Sequence, residues 1–86
     1  MNQYKIEISA SAEKQLKKLP ADVQVRISRA IIALGENPYA HRARKLTGFS
    51  DIWRIRVGVY RIVYSVEGIR LVVIVLKVGH RKDVYR

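Results

Sequence analysis

The first quarter of the chain carries a strand pattern followed by a helical one. Apolar and charged residues alternate from Tyr4 to Ile8, which is the period of a strand with one buried face. Ser9 and Ser11 then offer N-cap oxygens for a helix, and Pro20 ends that helix. The sequence therefore predicts a short strand and a short helix before residue 20.

A second, longer helix is predicted next, with Pro20 suited to its first position and Gly35 to its C-cap. Its apolar residues recur at the i, i+4, i+7, i+8 and i+11 spacing of one helix face. They are Val23, Ile27, Ala30, Ile31 and Leu34. We expect the two helices to form a hairpin, which needs a sheet to cover its apolar faces.

The pattern lapses between Glu36 and Asp51, where turn signals surround a basic loop at residues 41–45. Three segments rich in β-branched and aromatic residues follow, at Ile52 to Val57, Val59 to Val66 and Ile69 to Val78. Gly58 and Glu67-Gly68 have the chemistry of tight hairpin turns between them. The order β-α-α-β-β-β predicts an α+β fold, with a helical hairpin packed on an antiparallel sheet of about four strands.

The length and the net charge of the chain limit the classes of function that it can have. The 86 residues suffice for a single domain over 1–86, and 17 Lys and Arg against seven Asp and Glu give a net charge of +10. Such a charge indicates a polyanion such as nucleic acid, an anionic membrane surface or an acidic protein partner. The absence of cysteine excludes a disulfide scaffold, a thiolate zinc site and a cysteine nucleophile. No apolar run is long enough for a membrane span, so we expect a cytoplasmic protein.

Alternation in the strands suggests where chemistry could lie. In the first of the three, Trp53, Ile55 and Val57 point to one side and Ile52, Arg54 and Arg56 to the other. Arg61 in the next strand, and Lys77 and Arg81 in the last, have odd numbers like Ile69, Leu71 and Val73, so those within one strand are predicted to lie on one side of it. If the register aligns these side chains, they form a basic concavity flanked by His80 and Tyr85. The alternative is that strand arginines only keep an open face solvated.

Other kinds of site find less support in the sequence. The seven acidic residues are scattered singly, so a metal-dependent nuclease is not predicted. A glycine-rich phosphate loop and a serine elbow are also missing from the sequence, and no cofactor is expected. Trp53, Tyr60 and Tyr64 could stack on bases, but aromatic residues at strand spacing favour a place in the core.

Four runs carry a resemblance to a known family. They are Lys45-Leu46-Thr47-Gly48, Ile52-Trp53-Arg54-Ile55-Arg56, Tyr60-Arg61-Ile62-Val63-Tyr64 and Val78-Gly79-His80-Arg81-Lys82-Asp83-Val84-Tyr85. In this order and spacing they make nearly the whole chain resemble toxins of the RelE type in the RelE/ParE superfamily. The resemblance implies a type II toxin that enters the ribosomal A site and cuts messenger RNA there without a metal ion. It also implies three partners, namely the ribosome, the messenger and an acidic cognate antitoxin.

The resemblance further implies roles for individual residues. Arg61 and Arg81 would hold the scissile phosphate, Arg54 and Arg56 would compensate developing charge, and Tyr85 would donate or accept a proton. Arg61 and Arg81 are accordingly expected to be functional and not structural. The remaining candidates are expected to contact RNA, and they are Arg42, Arg44, Lys45, Lys77, His80 and Lys82. Two alternatives stay open: a ParE-like inhibitor of DNA gyrase without nuclease activity, and a basic nucleic-acid-binding module without catalysis.

Overall fold

Two helices and five strands make up the fold in the computed structural model, which describes residues 3–40, 42–46, 48 and 51–80. In chain order they are β1 Lys5–Ile8, α1 Ala10–Lys17, α2 Ala21–Glu36, β2 Arg44–Lys45, β3 Ile52–Val57, β4 Tyr60–Glu67 and β5 Val72–His80. The helices pack on one face of a single sheet. The expected α+β arrangement is thus confirmed.

The sheet has five strands in the order β1-β5-β4-β3-β2, one more than expected. The additional strand is the two-residue β2, which lies within the predicted basic loop and is too short to show alternation. β1 pairs with β5 in parallel, whereas the other three pairs are antiparallel. The sheet is therefore mostly antiparallel, as expected, with a parallel β1–β5 pair that the sequence did not predict. The helices and three strands separate β1 from β5 in the sequence, so no tight turn sets the orientation of that pair.

Capping and apolar spacing explain the helices. The Ser9 hydroxyl accepts a hydrogen bond from the Ala12 amide at 3.1 Å and begins α1. Pro20 is the N-cap of α2 and precedes its first residue. The predicted apolar stripe of α2 is buried at Val23, Ile27, Ile31 and Leu34, with Ala30 partly buried against the same core. This stripe packs with the inward residues of the sheet, so the core lies between the two layers.

Gly35 has a different role from the predicted C-cap, because α2 continues through it to Glu36. A Cβ atom at Gly35 would lie 3.2 Å from the carbonyl oxygen of Tyr4. The Tyr4 amide in turn donates a 2.7 Å hydrogen bond to the Gly35 carbonyl. The glycine therefore allows α2 to approach the chain at the start of β1, a requirement that a helical pattern does not reveal.

Tyr64 is fully buried and fixes the segment after α2. Its hydroxyl donates a 2.6 Å hydrogen bond to the carbonyl oxygen of Pro38. Burial raises the pKa of Tyr64 well above its ordinary value of 10.0. Trp53 and Tyr60 pack against the same core and are partly buried. The prediction that these three aromatic residues belong to the core is confirmed.

The β4–β5 connection is longer than the predicted turn. β5 begins at Val72 and not at Ile69, because the turn runs to Leu71, whose φ of 55° lies in the left-handed region. Ile69 is completely exposed at this turn. Within the part of the chain that the structure describes, no helix is long and apolar enough to cross a membrane.

A candidate nucleic-acid site in a basic cleft

The strand register aligns arginines on neighbouring strands. Arg44 of β2 lies opposite Arg54 of β3, and Arg56 of β3 lies opposite Arg61 of β4. Directly opposed residues share a face of the sheet. Ile55, the residue between Arg54 and Arg56, belongs to the core, so these arginines occupy the face turned away from the helices.

A β-bulge decides where Lys77 lies. Tyr64 pairs with Val75 whereas its neighbour Val63 pairs with Lys77, so Leu76 is an extra residue in β5. Val73 and Val75 consequently face the helices, while Lys77 shares the open face with Val63. The prediction that Lys77 and Val73 lie on the same side of the strand is wrong, because the bulge shifts the alternation by one residue.

The arginines of the open face line a cleft of about 460 Å³, which we call the basic cleft. Its lining residues are Arg42, Arg44, Arg54, Arg56 and Gly58. They come from the segment before β2, from β2, from β3 and from the β3–β4 turn. Arg54 is half-buried, and the other three arginines are exposed to solvent. Four guanidinium groups thus converge on one volume that solvent can enter.

The basic cleft concentrates positive charge. Like charges directly opposite each other across strands destabilise a sheet by roughly 0.2–1 kcal/mol, and Arg44 with Arg54 and Arg56 with Arg61 are two such pairs. Among residues 3–40, 42–46, 48 and 51–80, no carboxylate pairs with Arg42 or Arg56. A bound polyanion would relieve this repulsion, and guanidinium groups suit the paired oxygens of a phosphate.

Arg61 differs from the arginines of the basic cleft in its burial. It is 4% exposed and lies in the sheet between Arg56 and Gly79. A guanidinium held at this depth has little freedom, so the fold itself fixes its position beside Arg56. Its replacement is therefore expected to affect folding as well as any chemistry.

Several predicted site residues lie apart from the basic cleft. The Lys45 ammonium is 6.0 Å from the centroid of the Trp53 ring, on the side of the sheet that faces the helices. Lys77 and His80 line a second depression of about 420 Å³ beside Gln15 and Lys18 of α1. There the His80 ring stands edge-on to Tyr60, with 5.9 Å between the ring centroids.

The remaining predicted residues, Arg81, Lys82 and Tyr85, lie outside the described residues. Conversely, Gly58 is a cleft residue that the sequence marked only as a turn. Its φ of 63° fits that turn, but its position on the cleft follows from the pairing of β3 with β4. In the part of the chain described, no group of three or more His, Asp or Glu side chains could hold a metal ion.

Comparisons with known proteins place the chain among toxins. Residues 6–85 match the family described as ParE toxin of type II toxin-antitoxin system, parDE. The chain is 31% identical over 81 residues to the mRNA interferase toxin RelE of Escherichia coli, covering 92% of this chain and 84% of that protein. It is 26% identical over 84 residues to Toxin RelG of Mycobacterium tuberculosis, covering 96% of this chain and 97% of that protein.

Solved structures show the same fold. A chain in an archaeal RelE–RelB complex from Pyrococcus horikoshii superposes with a TM-score of 0.82 at 30% identity, covering 96% of this chain and 99% of that chain. The chain in the intact Escherichia coli RelBE toxin–antitoxin complex superposes with a TM-score of 0.79 at 29% identity, covering 90% of this chain and 95% of that chain. The similarity therefore extends over both layers of the fold.

Proposed function

The chain belongs to the RelE/ParE superfamily of type II toxins, and we propose that it is an endoribonuclease that cuts messenger RNA in the ribosomal A site. The observation that carries this proposal is the convergence of four arginines on the basic cleft. A module that needed only solubility would gain nothing from opposing Arg44 to Arg54 and Arg56 to Arg61. The proposal also draws on the similarity to a protein named an mRNA interferase.

The chemistry requires a nucleophile that RNA itself supplies. The 2′-oxygen forms a bond to phosphorus while the bond from phosphorus to the 5′-oxygen breaks, leaving a 2′,3′-cyclic phosphate and a 5′-hydroxyl. One proton leaves the 2′-hydroxyl and one joins the departing 5′-oxygen. A protein can promote this step by holding the two oxygens in line and by stabilising negative charge on the phosphoryl group.

The arginines are suited to stabilising negative charge on the phosphoryl group. Their pKa lies too high for them to act as a base, so Arg54 and Arg56 would stabilise charge and not remove a proton. Arg61 would hold the scissile phosphate from the neighbouring strand, and Arg42 and Arg44 would bind phosphates beside it. Tyr85 is the proposed proton donor or acceptor and Arg81 a second phosphate ligand. None of these steps needs a metal ion.

A cognate antitoxin is the proposed protein partner. The chain carries a net charge of +10, and an acidic segment would offset the repulsion within the basic cleft. The similar toxins from Pyrococcus horikoshii and Escherichia coli occur in complexes with their antitoxins. We expect the product of the adjacent reading frame to co-purify with this chain, and failure to form a tight complex would weigh against the assignment.

A second candidate function has one observation in its favour. The family that residues 6–85 match carries the description of a ParE toxin, and not of a RelE toxin. Under this alternative the chain would inhibit DNA gyrase and would cut no RNA.

Induced expression in cells distinguishes the two functions. Messenger cleavage predicts cuts within translated frames when the 5′ ends of messengers are mapped by primer extension, with plasmid supercoiling unchanged. Gyrase inhibition predicts intact messengers and altered supercoiling. A double variant, Arg54→Gln with Arg56→Gln, should produce no cuts in the first case while accumulating as folded protein.

A further inference from the structure

Arg26 of α2 makes a contact that the basic cleft alone does not explain. Its Nη2 atom lies 3.1 Å from the position that a Cβ atom would occupy on Gly58. Gly58 lies in the β3–β4 turn and lines the basic cleft. The guanidinium of a residue in the helical layer thus rests against the rim of a cleft that opens on the other face of the sheet.

Arg26 does not pair with the acidic residue one turn away on its own helix. Asp22 lies one helical turn before it, at the i,i+4 spacing and in the orientation that favours an ion pair. Within the described residues, however, Arg26 forms no ion pair and no hydrogen bond, and its side chain is exposed. The positive charge beside the β3–β4 turn is therefore available to an external anion.

Gly58 makes this placement possible. Its φ of 63° is a conformation that residues with a side chain rarely adopt, and the missing Cβ leaves room for the guanidinium. A Cβ atom at this position would crowd the Arg26 guanidinium and force it to shift by a few tenths of an ångström. The turn therefore serves both the hairpin and the approach of a cation from α2.

We propose that Arg26 is a further RNA-binding residue, which extends the basic cleft across the β3–β4 turn and binds a phosphate of the messenger beyond those held by the cleft. This inference rests on the proposed function. It assigns a direction to the bound strand, which would leave the cleft over Gly58 toward α2. An exposed guanidinium group is well suited to bind a phosphate group. A contact of this kind does not depend on the sequence of the bases.

Salt-dependent binding tests the role of Arg26 without catalysis. The probe is a short single-stranded RNA with 2′-O-methyl groups, which lacks the nucleophile. Each phosphate contact to a single strand contributes about 0.7 to the slope of log affinity against log salt. Arg26→Ala should reduce that slope by about 0.7 and weaken binding. Lys14→Ala, which removes one exposed charge from α1, should leave the slope unchanged.

Gly58→Ala provides a second test in which no charge is lost. The added methyl group crowds the Arg26 guanidinium, so binding should weaken in the wild-type background. Alanine is also strained at the φ of 63°, so some loss is expected in both backgrounds, but the loss should be smaller in the Arg26→Ala background, where no guanidinium remains to be crowded. A thermal melt of each variant shows whether the folded state is retained.

The outcomes separate this inference from the proposed function. Equal slopes for Arg26→Ala and Lys14→Ala, or no binding of the probe by the wild-type chain, would overturn the role of Arg26. So would a loss from Gly58→Ala that is the same in both backgrounds. If in those cases the wild-type chain still cuts messengers and the Arg54→Gln, Arg56→Gln variant does not, only this inference fails. An absence of messenger cleavage removes the proposed function, and the role of Arg26 with it.

Discussion

Replacing Arg56 by glutamine is predicted to stabilise the protein while it abolishes most of its activity. Arg56 is exposed, lies directly opposite Arg61 and has no carboxylate partner among the described residues. Glutamine keeps part of the side-chain stem and can donate hydrogen bonds, but it removes the charge. A residue that supports the fold would show a loss of stability instead.

The register sets the size of the effect. Removing one member of a directly opposed like-charge pair should raise the free energy of unfolding by about 0.2–1 kcal/mol. For a chain of this length, each kcal/mol corresponds to about 4–8 °C in Tm. Losing a group that stabilises charge in the transition state lowers the rate by about 10²–10³. Stability and activity are therefore expected to change in opposite directions.

Thermal melts at two salt concentrations and a cleavage assay measure both effects. The gain in Tm should be visible at about 0.1 M salt and vanish at about 1 M, where the screening length falls from about 10 Å to about 3 Å. Arg29→Gln, an exposed arginine of α2, controls for the change in net charge and should shift Tm little. A lower Tm for Arg56→Gln, or full activity, would refute the reasoning.

Two further predictions concern buried residues. Tyr64→Phe leaves the buried carbonyl of Pro38 without its donor, so thermal melts should show a loss of about 1–3 kcal/mol. Because burial raises the pKa of Tyr64, its protonated hydroxyl stabilises the fold below pH 10.0, and this contribution is lost progressively as the pH rises above that value. The phenylalanine variant should lack that part of the alkaline decline in stability. Equal declines for the two proteins would contradict this prediction. Arg61→Ala should lower Tm as well as toxicity, in contrast to the sequence-based expectation of an unchanged melt, because Arg61 is 4% exposed. Arg61→Lys keeps the charge and should recover more stability than toxicity, and equal recovery of both would contradict a role in phosphate binding.

The sequence predicted the elements well where periodicity is local. The apolar stripe of α2 and the alternation in β3 each depend on side chains within one element, and both are present. The parallel pairing of β1 with β5 depends on contacts between residues far apart in the chain, so no local pattern encodes it. Gly35 illustrates the same limit, since its helical position matters only because β1 approaches it.

The candidate site was predictable in its residue types but not in its grouping. Alternation placed Arg54 and Arg56 on one face, and the register then set Arg44 opposite Arg54. The bulge at Leu76 changed the side on which Lys77 lies, and bulges carry no sequence signal of this kind. Arg26 could not have been found from the sequence, because its contact with Gly58 joins the two layers of the fold.

Cleavage of messenger on purified ribosomes with an empty A site tests the central claim most directly. The predicted result with the wild-type chain is a cut in the A-site codon that leaves a 2′,3′-cyclic phosphate, with free messenger left intact. The Arg54→Gln, Arg56→Gln double variant should leave the ribosome-bound messenger uncut while its melt shows a folded protein. Intact messenger on ribosomes exposed to the wild-type chain, or a cut that leaves a 3′-hydroxyl, would contradict the account.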